Sequence, residues 1–206
     1  STGYDSLMVF DLNRDEFTRG IHLRKGAKGW KSQLFDPLSK DGPEMANNLH
    51  LNNVRCSKKG LFVSGLRTDA LIHMDSDLNA KEYCSLPAGT HNARPFKQGV
   101  LFNDTKSDCV RAVGRDGAET NFKIPTYDET ELTHTNLDDS RIARQGFARG
   151  LCLVDQELIA VGSSPSTINL FNLEEKKKVA SVNLSMDIRN AIHGLEVWPY
   201  ERLLDS

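Results

Sequence analysis

Short apolar runs alternate with polar turns along the whole chain, and four segments share one arrangement. Apolar stretches Leu7 to Leu12, Ala70 to Asp75, Cys109 to Val113 and Ile168 to Leu173 each follow a small or polar turn. Those turns read Ser1 to Ser6, Ser64 to Asp69, Asn103 to Asp108 and Ser163 to Thr167. Each stretch leads through a second turn to a further strand: Phe17 to Leu23, Ala80 to Leu86, Thr120 to Pro125 and Lys177 to Leu184. Three units have two earlier strands, Asn52 to Cys56 with Leu61 to Ser64, His91 to Phe96 with Val100 to Asn103, and Arg149 to Val154 with Leu158 to Gly162. Short polar turns such as Lys97-Gln-Gly99 join each pair. No window carries a helical stripe for three turns. The unit is a four-stranded antiparallel meander of roughly 40 residues, the size of a propeller blade.

The first unit lacks its two inner strands, and the end of the chain supplies a match. Ile192 to Trp198 repeats the pattern of Ala148 to Val154, a shift of 44 positions (192 minus 148). The same shift sets Leu158 to Ala160 on Arg202 to Leu204, and Gly162 on Ser206. A blade shared by both termini would leave no open edge. The expected fold is an all-β propeller, one domain over residues 1–206, with four blades and a shared closing blade. A fragment of a larger, five- or six-bladed propeller is the alternative, and Asp205, where an apolar residue is expected, counts mildly for it. Two segments, 24–49 and 126–146, fall outside the repeat and read as inserted loops, with a short helix over 137–142. Long loops on a rigid scaffold often carry function, which makes Trp30 a contact candidate. Trp198 reads as core.

Composition narrows the partners more than the fold. The chain has 206 residues, 26 basic and 28 acidic, for a net charge of −2. The mixed signs exclude a general nucleic-acid or anionic-membrane binder. No apolar stretch is long enough to span a membrane as a helix. The chain opens on Ser1 with no signal-peptide pattern, so a cytoplasmic location is expected; a secreted one is left open by a processed or truncated start. Cys56, Cys84, Cys109 and Cys152 form no CxxC pair and read as free, buried thiols or one incidental bridge. Asn103 and Asn183 match the glycosylation pattern, which matters only in a secreted chain.

Candidate chemistry comes from aligning the inner strands. Asn52, His91, Arg149 and His193 fall on equivalent positions, and His50 lies on the face of Asn52 two residues earlier. Innermost strands line the axial channel of a propeller. Three readings stand. His50, His91 and His193 could hold a divalent metal, with Glu196 or Asp104. Arg149, with Asn52, Asn92, Arg94 and the histidines, could form a metal-free pocket for an anion. The polar ring could instead be satisfied by channel water. His22 and His73 read as half-exposed strand residues, His134 as a solvated loop residue, Asn103-Asp104 as a turn and Asp138-Asp139 as surface or helix-start charge.

Ile192-His-Gly-Leu195, Arg149-Gly-Leu151, Leu61-Phe-Val-Ser64 and Leu158-Ile-Ala-Val161 resemble bacterial propellers of the NHL, virginiamycin B lyase and gluconolactonase-like type. The lyase-like resemblance implies channel histidines as acid or base, with His91 and His193 at the matching positions. The gluconolactonase-like resemblance implies a metal-dependent lactone hydrolase, but its acidic and Asn metal ligands have no counterpart here. The expected function is binding of a small anionic molecule at a polar axial site, with metal-assisted lyase or hydrolase chemistry as its catalytic version. His91 or His193 would then be the base, and Arg149 would hold the negative charge. A non-enzymatic protein-interaction scaffold, using the propeller face and the two inserts, is the alternative.

Overall fold

The computed structural model describes residues 1–136 and 144–198. The expected helix over 137–142, Asp138-Asp139, and the aligned positions Arg202 to Leu204, Asp205 and Ser206 lie outside the described residues. Among the described residues, all regular structure beyond two single-turn 3-10 helices is strand. The chain divides into two compact units, Ser1–Phe102 and Asn103–Ser206.

β1 (Ser6–Asp11), β2 (Glu16–Gly26) and β3 (Gly29–Phe35) form a three-stranded antiparallel sheet. β4 (Leu51–Ser57), β5 (Gly60–Gly65), β6 (Ala70–Met74) and β7 (Ala80–Ser85) form a four-stranded sheet in chain order. So do β8 (Thr90–Phe96), β9 (Gly99–Asp104), β10 (Cys109–Gly114) and β11 (Glu119–Lys123). The last sheet holds β12 (Gly146–Leu153), β13 (Leu158–Ser164), β14 (Thr167–Asn172) and β15 (Lys177–Asn183). These are the blade-like sheets expected from the repeat. β9 and β13 are the most buried strands of their sheets, and in the β4–β7 sheet β5 and β6 are buried alike; each has a strand on both sides. The outermost strands β7 and β15 are largely exposed.

Two backbone devices repeat with the blades. Leu23, Leu86, Ile124 and Leu184 each donate an N–H to the carbonyl of Asp5, Asp69, Asp108 and Ser166, all at 2.9 Å. The three aspartates are left-handed, at φ 47, 51 and 49°, a region Asp tolerates better than bulkier residues. The second device links successive repeats. The carbonyls of Leu51, Thr90, Ala148 and Ile192 accept from Thr2 Oγ1 (2.8 Å), Asn52 Nδ2 (2.9 Å), Thr105 Oγ1 (2.6 Å) and the Gly150 N–H (2.8 Å). Each carbonyl lies one residue before Asn52, His91, Arg149 or His193.

The first unit is centred on Ile21, Leu23, Leu49, Leu51, Val63, Ile72 and Met74. Buried carboxylate chemistry fastens its loop: Asp5, 2% exposed, accepts from the N–H groups of Asn48 (2.6 Å), Leu49 (3.0 Å) and His50 (3.0 Å). In the second unit Phe122 and Phe171 meet with ring centroids 5.0 Å apart, beside buried Val110, Leu151, Ile159 and Val161.

The structure differs from the sequence expectation at five points. Segment 24–49 is not wholly loop, since β2 runs to Gly26 and β3 takes up Gly29–Phe35. Gly26 pairs with Gly29 across a two-residue turn, and Gly29 takes φ 112°, which favours glycine. Trp30 is therefore a strand residue packed on the first unit's core, with Lys25 Nζ 5.5 Å from its ring. Ile192–Trp198 forms no strand; it is tied beside β12 and β13 at Ile192, whose carbonyl accepts the Gly150 N–H and whose N–H donates to the Ser163 carbonyl. Trp198 is 71% exposed rather than core. All four cysteines are free, but only Cys152 is buried.

Candidate ligand-binding site

The densest polar constellation lies in the second unit around β12. Arg149 Nη1 donates to His193 Nε2 at 2.8 Å. Nε2 is thus the acceptor nitrogen, and in the neutral ring Nδ1 carries the proton. Arg149 Cζ stacks 4.2 Å from the centroid of the Phe147 ring, and Arg144 Cζ lies 4.7 Å from the same ring. Phe147 has φ 43°, an uncommon value for a bulky side chain.

Asp108 supports this arrangement from the preceding repeat. Its Oδ1 accepts the Phe147 N–H at 3.0 Å, and its Oδ2 takes Arg144 Nη1 at 2.6 Å. Arg144 also donates to the carbonyls of Thr105 (2.9 Å) and Gln145 (3.2 Å). Its charge is therefore balanced and its plane fixed. The electrostatic strain falls on the other two groups. Burial and the nearby Arg144 charge pull the Arg149 guanidinium below its usual range. Burial and Arg149 likewise lower His193, which favours neutral imidazole.

The first unit holds the other candidates. His50 is left-handed at φ 51°, with Nδ1 3.0 Å from Asn47 Oδ1. Asn52 donates Nδ2 to the Thr90 carbonyl, and its buried Oδ1 has no partner among the described residues. Asn53 bonds the Ala93 carbonyl at 2.8 Å in the same way. The amide N–H of Asn52 is thus used inside the fold. His91 Nδ1 faces the Gly89 carbonyl at 3.2 Å, which sets the proton on Nδ1 and the lone pair on Nε2. Asn92 is left-handed at φ 52°, and Arg94 is buried. His50 and His91 belong to the first unit, Arg149 and His193 to the second; Arg149 and His193 are in direct contact.

Among the described residues, no group of three or more His, Cys, Asp or Glu side chains is placed to hold a metal. Asp104 is paired with Arg111 at 3.1 Å, and Glu196 Oε1 lies 4.0 Å from Cys152 Sγ. His22 and His73 are half-buried strand residues, bonded to the carbonyls of Tyr4 (3.0 Å) and Lys59 (2.6 Å). His134 lies 3.2 Å from Asp187. Asn103 is fully buried with its amide on the Gly150 carbonyl, and Asn183 bonds Pro165, Thr167 and Ser185. Sequence reasoning missed Phe147, Arg144 and Asp108. The available signal was position, since Phe147 stands two residues before Arg149 on the same strand and Arg144 just before that strand begins.

No protein-family profile matches the chain. No curated protein sequence matches it either. The fold is similar to virginiamycin B lyase and other β-propellers at low sequence identity. Virginiamycin B lyase from Staphylococcus aureus shares 11% identity at a TM-score of 0.39, over 80% of this chain and 54% of that one. The β-propeller domain of Myceliophteria thermophila Cps50 (Swd1) shares 9% at 0.42, over 88% and 68%. The computationally designed Ika8 protein shares 10% at 0.40, over 93% and 64%. The chain therefore spans little more than half the length of the lyase.

Proposed function

We propose that this chain binds a small anionic molecule at Arg149 and His193. The observation that carries the reading is the 2.8 Å contact from Arg149 Nη1 to His193 Nε2, beside a second guanidinium on the Phe147 ring. A carboxylate or phosphate oxygen would take the guanidinium in bidentate fashion and accept the imidazole N–H. The catalytic version follows from competition. An anion that draws Arg149 to itself releases the lone pair of His193 Nε2, which then serves as general base for a lyase or hydrolase step. His91 is the second base candidate, through its Nε2. A thermal-shift screen of carboxylates and phosphates tests the binding reading. A mutation-sensitive shift, present in the wild type and lost in Arg149→Ala, is expected; equal shifts or none in both proteins would end it.

The finer architecture belongs to the same proposal: four blades in a ring, one of them shared by the two ends of the chain. It is supported by the 44-residue repeat and by Ile192, whose carbonyl takes the bond that Leu51, Thr90 and Ala148 take in their repeats. Small-angle scattering should return a radius of gyration near 17 Å, the value for a compact chain of about this length. A markedly larger radius would favour an open fragment of a bigger propeller.

A protein-interaction scaffold is the second reading. It draws on exposed apolar side chains, Leu38 (70%) and Met45 (71%) in the first insert and Leu12 (88%) after β1. A cytoplasmic location suits both readings, given four free cysteines.

A further inference from the structure

A cavity of about 620 Å³ lies in the first unit, away from every residue assigned above to anion binding. One wall comes from β2 and β3, the other from the 36–49 loop. Its lining includes Leu23, Phe35 and Leu49. Leu23 and Leu49 are buried core residues, and Phe35 is half-buried. Charged groups line both walls. Arg24 and Lys25 stand on β2, while Asp41 and Glu44 stand on the loop, and Asp5 lies at the floor. Asp5 spends its carboxylate on three N–H groups and Lys25 Nζ lies over the Trp30 ring, which leaves Arg24, Asp41 and Glu44 to face a ligand. All three are exposed, and among the described residues no ion pair or side-chain hydrogen bond joins Arg24 to either carboxylate.

Opposite charges that share one cavity without meeting leave each attracted to a counter-charge between them. Apolar lining and a few convergent polar groups are the composition of a small-molecule site, and the volume falls within the usual range of roughly 300–1,000 Å³. A lone anion would be repelled by Asp41 and Glu44, and a lone cation by Arg24. An apolar molecule would leave all three charges unanswered. The fitting ligand carries both signs, set apart by an apolar body.

We infer that this cavity binds a short apolar peptide with free termini, its carboxylate on Arg24 and its ammonium on Asp41 and Glu44. The site is independent of the one at Arg149, so either can fail alone. Isothermal titration with phenylalanyl-leucine tests it, alongside the N-acetylated and C-amidated forms of the same dipeptide. The free dipeptide should bind, and each blocked form should bind at least about tenfold more weakly, as expected for one lost charged contact. In Arg24→Gln the amidated and free forms should bind alike, while the acetylated form stays weaker. In a double Asp41→Asn, Glu44→Gln variant the acetylated and free forms should converge instead. Because these side chains are exposed, the variants should keep the wild-type melting temperature. No binding of the free dipeptide, or equal binding of blocked and free forms to the wild type, overturns the proposal. Retention of full discrimination in both variants overturns it as well.

Discussion

Arg149 Nη1 donates to His193 Nε2 across 2.8 Å, so the two groups set one another's protonation. A guanidinium can only donate, and the imidazole must accept, which requires the neutral ring. Burial and the Arg149 charge both move His193 below its ordinary value of 6.5. Replacing Arg149 with Met removes the charge and leaves much of the burial. The His193 resonances should then titrate at higher pH than in the wild type. An unchanged NMR titration midpoint would show that the contact does not persist in solution.

The same shift has a consequence for stability. A histidine with a lowered native pKa stays neutral when folded, while the unfolded chain binds a proton first. Between the native value and 6.5 the unfolded state therefore holds more protons, and stability rises with pH. His193 contributes fully above 6.5, and its contribution is lost as pH falls through the native pKa. Urea midpoints measured from pH 7.5 to 5 should fall for the wild type and fall less for His193→Gln. Equal slopes would assign the acid sensitivity to other groups.

Asp5 gathers the N–H groups of three successive residues, Asn48, Leu49 and His50, with its carboxylate 2% exposed. These donors have no strand partner to replace it. Asp5→Ala leaves buried N–H groups unmet and should cost about 3 kcal/mol, the scale of hydrogen bonds to a charged group. Asp5→Asn retains one acceptor oxygen and should fall between the two. Chemical denaturation checks the order, and an Asp5→Ala loss below about 1 kcal/mol would mean that water replaces the carboxylate readily.

The repeat was legible because the buried second strands are written as continuous apolar runs: Leu61 to Val63, Val100 to Phe102 and Ile159 to Val161 are buried or nearly so. β3 was not legible. Lys31, Gln33 and Leu34 are exposed at a sheet edge, and such residues carry no alternation strong enough to separate strand from loop. Trp30 was misplaced for the same reason. Arg149 and His193 could be set in one slot of successive repeats from spacing alone. Their contact depends on the path of 185–193, which has no strand and hence no periodic signal. Asp5 and Asp108 escaped notice because an aspartate in a turn is ordinary; their partners lie about 40 residues away, where no local pattern points.

Cys109 should be an inert thiol. Burial comes first, and the neighbouring Asp104 carboxylate adds to it, raising the thiol to about 11. At pH 8 only about one thiol in a thousand is then ionised, and the thiolate is the reactive form. Alkylation by iodoacetamide followed by peptide mass spectrometry should label exposed Cys56 well before Cys109. Asp104→Asn should speed labelling of Cys109 without bringing it level, because burial remains. Equal rates for the two wild-type cysteines would contradict the half-buried setting of Cys109 beside Asp104.

Gly162 tests the position of the segment after β15. A Cβ placed there would lie 2.5 Å from Ile192 Cγ2 and 2.7 Å from the Ile192 carbonyl oxygen, closer than real Cβ contacts allow. That carbonyl is the one held by the Gly150 N–H, so the backbone cannot move aside without losing the bond. Gly162→Ala should therefore destabilise the second unit by about 1–3 kcal/mol, the usual range for overpacking. Ile192→Ala removes Cγ2 but leaves Cβ, 2.6 Å away, and the carbonyl, so the double variant should recover only a small part of the loss. If Gly162→Ala melts with the wild type, the segment carrying His193 does not lie on β12 and β13, and the Arg149–His193 contact falls with it.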